Sequence, residues 1–262
     1  MLIIGEKLNS SIPKVREAIH NKDKAFIQDL ALKQVQAGAD YLDVNTALED
    51  EVNDMEWVIK AIKEVVDVPI CIDSTNPEAV KKALELTEGK AMINSINMES
   101  ARIRDILPIV IDSGCPVIAL TIDDNGIPKT VEDRMRILDR MVEILQKHNY
   151  DLDKVYVDPL VLPVATDTNN ALIFFESLTQ IKEKYGLKTV SGLSNVSHSL
   201  PKRRIINRHF LTVCISRGMD AAILDPLDKK IITAILTTEL LMGKDRFARK
   251  YLKAHREGIL EE

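Results

Sequence analysis

With 262 residues, 45% of them hydrophobic, the chain has ample apolar material for a core and no compositional sign of a disordered tract. That length is close to the roughly 250 residues of an α/β barrel, so one domain spanning 1–262 is expected. The 35 basic and 40 acidic side chains are interspersed, for a net charge of −5, which argues against nucleic acid as a partner.

Met1–Ile4 is a β-branched run that stops at Gly5 and leads into the polar Glu6, Lys7 and Asn9. Lys24 to Gly38 has helical spacing at Phe26, Leu30, Val35 and Ala37, with Gly38 as its stop. Tyr41–Asn45 follows the strand period and puts Asp43 and Asn45 on one face. A helix is predicted over Asn53 to Asp67, with Asn53 or Asp54 as N-cap, then a strand from Pro69 to Thr75. Asn76-Pro77 opens the next helix, because proline at the first helical position gives up only an N–H that would be unpaired there.

Ala91–Ile96 reads as strand four, Ala101 to Gly114 as a helix, and Pro116–Ile122 as strand five, ended by the Asp123–Gly126 turn. The longest helix is predicted from Thr130 to His148, opened by a capping-box-like Thr130-Val-Glu-Asp133. Strand six is Val155–Leu160, helix six Asn169–Tyr185, strand seven Thr189–Leu193 and helix seven Asn207–Arg217. Strand eight at Ala221–Leu224 and a helix at Lys229–Met242 complete the alternation. The charged tail 244–262 is predicted to be helical and to lie on the surface.

Eight short, nearly continuous apolar strands alternating with helices place the chain in the α/β class, as a closed (β/α)8 TIM barrel. A doubly wound open sheet is the alternative. It usually carries a Gly-rich turn after strand one, and Gly5–Asn9 has none.

In a barrel, the carboxyl ends of all strands open on one face, so strand-end side chains share one bowl. Here those ends carry Glu6, Asn9, Asp43, Asn45, Asp73, Asn94, Thr121, Asp158, Asn195 and Asp225. Any one Asp or Asn can simply cap a helix or satisfy a loop. Successive strands ending this way call for a shared reason. Carboxylates and amides together suit a neutral, planar ligand with several hydrogen-bonding edges. Thr189–His198, followed by Lys202, Arg203 and Arg204, reads as the mouth of that bowl.

Other chemistries lack their residues. None of the five histidines has a paired ligand spacing, so no protein-bound metal is expected, and there is neither a GxSxG elbow nor a phosphate-binding GxxxxGK[ST] loop. Cys71, Cys115 and Cys214 lie apart in apolar segments, which predicts core thiols in a reducing cytoplasm rather than a disulfide framework. A strand beginning at Leu2 leaves no room for a signal peptide, and no run is long enough to span a membrane.

Four phrases resemble, in order, those of the pterin-binding methyltransferases, nearest to the methyltetrahydrofolate:corrinoid/iron-sulfur protein methyltransferase group. They are Ile72-Asp-Ser-Thr-Asn76, Met92-Ile-Asn-Ser95, Val157-Asp-Pro-Leu160 with Leu162-Pro163, and Gly192-Leu-Ser-Asn-Val-Ser197 followed by Arg203 and Ile206-Asn-Arg208. The resemblance implies a TIM barrel, a homodimer, and tetrahydrofolate or 5-methyltetrahydrofolate held as substrate. It also implies methyl exchange between N5 of the folate and the cobalt of a corrinoid (cobalamin) carried by a separate protein. By the same resemblance, Asp73, Asn94 and Asp158 bind the pterin edge, and Asn195 is the catalytic residue at N5. Gly192 and Ser194 line the pocket and Arg203 reaches the outer part of the ligand. Glu6, Asn9, Asp43 and Asn45 are further pocket candidates from their strand-end positions.

His198 stands where the group has glutamine, which points to a changed environment for N5 and to use in the direction from methylcorrinoid to tetrahydrofolate. Dihydropteroate synthase is the alternative within pterin chemistry, but strand six would then read DPGxGF and strand eight would end in Ser-x-Arg-Lys. This chain has Asp158-Pro-Leu-Val161 and Leu224-Asp-Pro226. A non-catalytic folate or corrinoid binder is the alternative outside enzymes.

Overall fold

β-branched and apolar runs form eight strands in a computed structural model that describes residues 1–261; Glu262, the end of the predicted tail, lies outside the described residues. The strands are β1 (Leu2–Asn9), β2 (Tyr41–Asn45), β3 (Ile70–Asp73), β4 (Ala91–Met98), β5 (Val117–Asp123), β6 (Val155–Asp158), β7 (Lys188–Thr189) and β8 (Ala221–Leu224). All neighbours pair in parallel, in the order β7-β6-β5-β4-β3-β2-β1-β8. Between β7 and β8 the ring is joined by a bridge from Gly192 to Ile223. The N–H of Asp220 donates to the Thr189 carbonyl (3.1 Å) and that of Ile223 to the Ser191 carbonyl (2.8 Å). The expected (β/α)8 barrel is the fold.

Period-2 alternation sorts the strand residues between two layers. Ile4, Cys71, Met92, Ile118, Tyr156, Val190 and Ala221 point inward and form an apolar floor across the barrel. Their neighbours Leu42, Ile72, Ile93, Val117, Val157 and Ala222 face outward, in the larger core shared with the helices. All three cysteines are free and buried.

Helices α1 (Pro13–His20), α2 (Lys24–Gln36), α3 (Glu51–Lys63), α4 (Pro77–Thr87), α5 (Ser100–Asp105) and α6 (Leu107–Ser113) surround the first half. Then come α7 (Val131–Lys147), α8 (Asn170–Tyr185), α9 (Arg203–Ser216), α10 (Lys229–Leu241) and α11 (Arg249–Arg256). Asn76 caps α4 as expected, accepting from the Glu78 N–H at 3.0 Å, and the Thr130 hydroxyl accepts from the Asp133 N–H at 3.1 Å. No helix among the described residues is long and apolar enough to cross a membrane.

Several boundaries differ from expectation for local reasons. The helix predicted over Ala101–Gly114 is two helices, because Pro108 has no N–H to continue the ladder of α5. The strand predicted over Thr189–Leu193 stops at Thr189, and Leu193–Ser197 winds into a 3-10 turn instead. Helix α9 starts at Arg203 rather than Asn207, α3 starts at Glu51, and α1 has no counterpart among the expected helices. The tail forms α11 only over Arg249–Arg256, after a short 3-10 turn.

Strand β1 runs past Gly5 to Asn9 through a bulge. Gly5 pairs with Leu42 and Leu8 with Val44, so three steps along β1 match two along β2. The Lys7 N–H donates to Oε1 of Gln34, a fully buried side chain from α2 (3.0 Å). A Cβ on Gly5 would lie 2.5 Å from that oxygen. Moving the amide aside would leave the Lys7 N–H without its acceptor.

Gly5→Ala is therefore expected to cost about 1–3 kcal/mol in urea denaturation, the usual cost of overpacking. In a Gln34→Ala background, the added cost of Gly5→Ala should shrink, as a double-mutant cycle would measure.

Candidate active site

At the carboxyl ends of the strands lies a cavity of about 740 Å³ whose lining includes Glu6, Asn9, Asp43, Asp73 and Asn94. Gly192, Ser194, Asn195 and Arg203 close the opposite side. The β1 bulge brings both Glu6 and its neighbour Lys7 to this wall, where regular alternation would turn one of them away.

Carboxylates and amides interlock on the β2–β4 wall. Asn94 Nδ2 donates to Asp43 Oδ1 (3.2 Å), and Asn45 Nδ2 donates to Asp73 Oδ2 (3.1 Å). Asn45 is in turn held by the Ser10 hydroxyl, which donates to its Oδ1 at 2.8 Å. Asn45 lines an adjoining cleft with Asn9 and Arg16 rather than the main cavity.

Across the bowl, the 3-10 turn Leu193–Ser197 replaces the expected end of strand seven and carries Ser194 and Asn195 over the opening. Gly192 permits this approach, since a Cβ there would meet Asn195 Nδ2 at 3.3 Å. The turn is pinned by Arg203, which donates from Nη2 to the Ser194 carbonyl (2.6 Å) and from Nε to the Ser197 hydroxyl (3.1 Å). The Ser194 hydroxyl donates to both Glu6 oxygens, at 3.0 and 3.3 Å, and ties the turn to β1. Lys7 Nζ pairs with Asp225 Oδ2 at 3.2 Å.

Besides Asn45, three predicted site residues lie outside the main cavity. Asp158 is buried outside the cavity lining and accepts from the backbone N–H groups of Leu160 (2.8 Å) and Gly192 (3.4 Å). His198 is exposed at the end of the 3-10 turn and does not line the cavity. Thr121 follows the inward Leu120, so it faces the helices, where its hydroxyl has no protein partner.

Burial raises the pKa of Glu6, Asp43, Asp73 and Asp158 because it disfavours the charged form. Asp43 is pushed to about 8 by desolvation and then by the charge of Asp73, against the Asn94 hydrogen bond. Asp73 is raised by desolvation, opposed by the Asn45 hydrogen bond and the charge of Arg102. Asp158 rises to about 6 through burial, despite its two backbone donors and Arg134. Glu6 is raised by burial, with the Ser194 hydrogen bond opposing.

Sequence reading missed Arg134. It follows Thr130-Val-Glu-Asp133 near the start of a charged helix, and nothing local in the sequence marks it. Only 1% of it is exposed, and its three guanidinium nitrogens have no protein partner. Burial lowers its pKa to about 10, and the charge of Asp158 acts in the opposite sense. Ser11 and Asp228 also line the cavity without having been singled out, as do Lys7 and Asn207, which the sequence marked only as a polar strand end and as part of a family phrase. Asp228 could have been flagged as the N-cap of α10, whose Lys230 N–H it accepts at 3.1 Å.

The resulting bowl has an apolar floor, a carboxylate–amide wall that can bind paired N–H donors, and a facing amide held by a cation-pinned turn. No group of three or more His, Cys, Asp or Glu among the described residues could hold a metal ion.

Residues 6–225 match the model of the pterin binding enzyme family. The chain is 40% identical over 263 residues to the methylcorrinoid:tetrahydrofolate methyltransferase of Eubacterium limosum, covering 98% of this chain and 97% of that one. It is 30% identical over 239 residues to the methionine synthase of Mycobacterium leprae (strain TN), a match that covers 85% of this chain but 20% of the larger protein. Among solved structures, dihydropteroate synthase from Xanthomonas albilineans in complex with 7,8-dihydropteroate superposes with a TM-score of 0.73. That alignment is 18% identical and covers 92% of this chain and 93% of the other, a likeness of fold.

The raised Asp43 pKa has a consequence for stability. Its folded value of about 8 lies above the unfolded value of roughly 3.9, so this group's contribution is fully present below the unfolded value. It is lost as pH rises through about 8. Asp43→Asn, which keeps an acceptor for Asn94, should flatten the decline of stability between about pH 4 and pH 8 and add about 1–2 kcal/mol at the upper end. Urea denaturation of both proteins across that range measures it.

Proposed function

We propose, from the premise that the chain belongs to the pterin binding enzyme family, that it is a methyltransferase moving a methyl group from a methylcorrinoid to N5 of tetrahydrofolate. The observation that carries this reading is the match along nearly the whole chain to a methylcorrinoid:tetrahydrofolate methyltransferase. The direction follows that relative's activity and agrees with the change to His198 beside the Asn195 turn. The corrinoid arrives on a separate protein and is a substrate. We further expect a cytoplasmic homodimer.

The bowl's chemistry supports this reading. A pterin presents an amino group and ring N–H donors on one edge, which Asp73 and Asp43 can accept while Asn94 serves an adjacent position. Asp158 acts from beneath the lining, at the base of the 3-10 turn, where its bond to the Gly192 N–H fixes the start of that turn. Arg203 lies at the rim, toward the outer, anionic part of the folate.

Methyl transfer is an in-line displacement at carbon, and cobalt supplies the difficult chemistry. This chain's residues align the N5 lone pair with the methyl group and keep N5 dry. Asn195 presents an amide at N5. An amide can strengthen its hydrogen bond as N5 becomes cationic, a differential interaction that lowers the barrier.

The test is a titration of the purified chain with tetrahydrofolate, followed by anaerobic mixing with methylcobalamin and observation of cobalt(I) absorbance. Saturable binding with turnover is expected. Asn195→Ala should keep tetrahydrofolate affinity within a few-fold while slowing transfer about 10²–10³-fold, the effect of losing one oriented hydrogen-bonding group. Binding without turnover would leave a folate carrier, and no binding at all would refute the substrate.

A further inference from the structure

We propose that Glu6 accepts the proton that N5 must lose when it is methylated. This rests on the reading above, in which the bowl holds tetrahydrofolate with N5 at Asn195.

Atom balance requires such an acceptor. The N5 lone pair forms the new N–C bond as the Co–C bond breaks, and the bonding pair stays on cobalt, which passes from cobalt(III) to cobalt(I). N5 then bears both the methyl group and its original hydrogen, and it is cationic. The neutral product forms only when that proton leaves, and the Asn195 amide cannot take it.

Glu6 is the carboxyl best placed to do so. The Ser194 hydroxyl, one residue from Asn195, donates to both Glu6 oxygens at 3.0 and 3.3 Å, so the carboxyl sits beside the turn that presents the amide. The other acids of the bowl face other groups. Asp43 and Asp73 accept from amides on the facing wall, Asp158 accepts from two backbone N–H groups, Asp225 is paired with Lys7, and Asp228 caps α10 and faces Arg204 Nε at 3.8 Å. His198 is exposed outside the cavity. Glu6 holds only a neutral hydroxyl donor, which leaves it acceptor capacity on a wall of the cavity.

The charged groups around Glu6 come from each neighbouring element. Lys7 on its own strand and Arg203 at the start of α9 favour the carboxylate, whereas Asp225 after β8 opposes it, as Asp43 on β2 also does through mutual repulsion. Burial outweighs these and raises the Glu6 pKa above the ordinary carboxylate value, which makes the carboxylate a stronger base than an exposed one. Because the carboxylate is the competent form, transfer to tetrahydrofolate should slow as pH falls through that raised value.

The test compares the full chain with its Glu6→Gln and Glu6→Asp variants. Tetrahydrofolate affinity is measured first, then single-turnover transfer from methylcobalamin between about pH 5 and pH 8. Glu6→Gln should bind tetrahydrofolate within about twofold, transfer about 100-fold more slowly, and shift the acidic limb of its rate profile to lower pH. Glu6→Asp should recover much of the rate and keep the limb.

A Gln variant with the parent's rate and the parent's acidic limb would overturn the proposal. So would loss of tetrahydrofolate binding in that variant, which would make Glu6 a binding group. If the parent chain itself neither binds tetrahydrofolate nor transfers, the underlying reading fails and the assignment of Glu6 fails with it, an outcome recognised before any variant is used.

Discussion

Placing several carboxyls in one water-poor bowl is the constraint around which the rest of this structure is arranged. Charged carboxylates lose hydration there, and each must be neutralised or given donors. The barrel supplies those donors from neighbouring strands, as Asn45 serves Asp73 and Asn94 serves Asp43. It supplies backbone N–H groups to Asp158 and a hydroxyl to Glu6. Each acid receives less than it could accept, so its pKa stays high and it remains available to a ligand with N–H donors. Sites that bind such ligands keep this deficit because the ligand fills it.

The same constraint explains features remote from the cavity. Arg134 is buried with three unpartnered nitrogens, an arrangement that would be costly without an opposite charge nearby, and Asp158 is that charge. The β1 bulge exposes a backbone N–H that would otherwise be orphaned, and Gln34 accepts from it across the space left by Gly5. Two residues outside the candidate site therefore act on it indirectly, Arg134 through Asp158 at the base of the 3-10 turn and Gln34 through the β1 bulge.

How much of this was legible in sequence depended on whether a residue's role was local. Strand-end acids and amides follow from the barrel count alone, and Glu6, Asn9, Asp43, Asp73, Asn94 and Asn195 do reach one cavity. Capping at Asn76 and Thr130 was legible for the same reason, since the donor lies two or three residues away. Gln34 and Arg134 carry no local mark, because each acts through a partner 24 or more residues distant along the chain. His198 is a pocket candidate only through its place in the motif, and a loop histidine is ordinarily solvated. The 3-10 turn ends there and leaves the side chain exposed.

That turn is also where the barrel departs from an ideal one. A full seventh strand would bond its backbone to β6 and β8 and fix Ser194 and Asn195 by the pleat, with one of them facing out. Ending β7 at Thr189 frees the following residues from that alternation, so that neighbouring side chains can both face the cavity. The lost ladder bonds are replaced by side chains, Arg203 to the Ser194 carbonyl and Ser194 to Glu6. Because those bonds link the turn to β1 and α9, the position of the Asn195 amide and the position of the Glu6 carboxyl are set together. In the proposed chemistry, the group that steadies a cationic nitrogen and the group that removes its proton are thus linked through Ser194, whose hydroxyl donates to Glu6 one residue from Asn195.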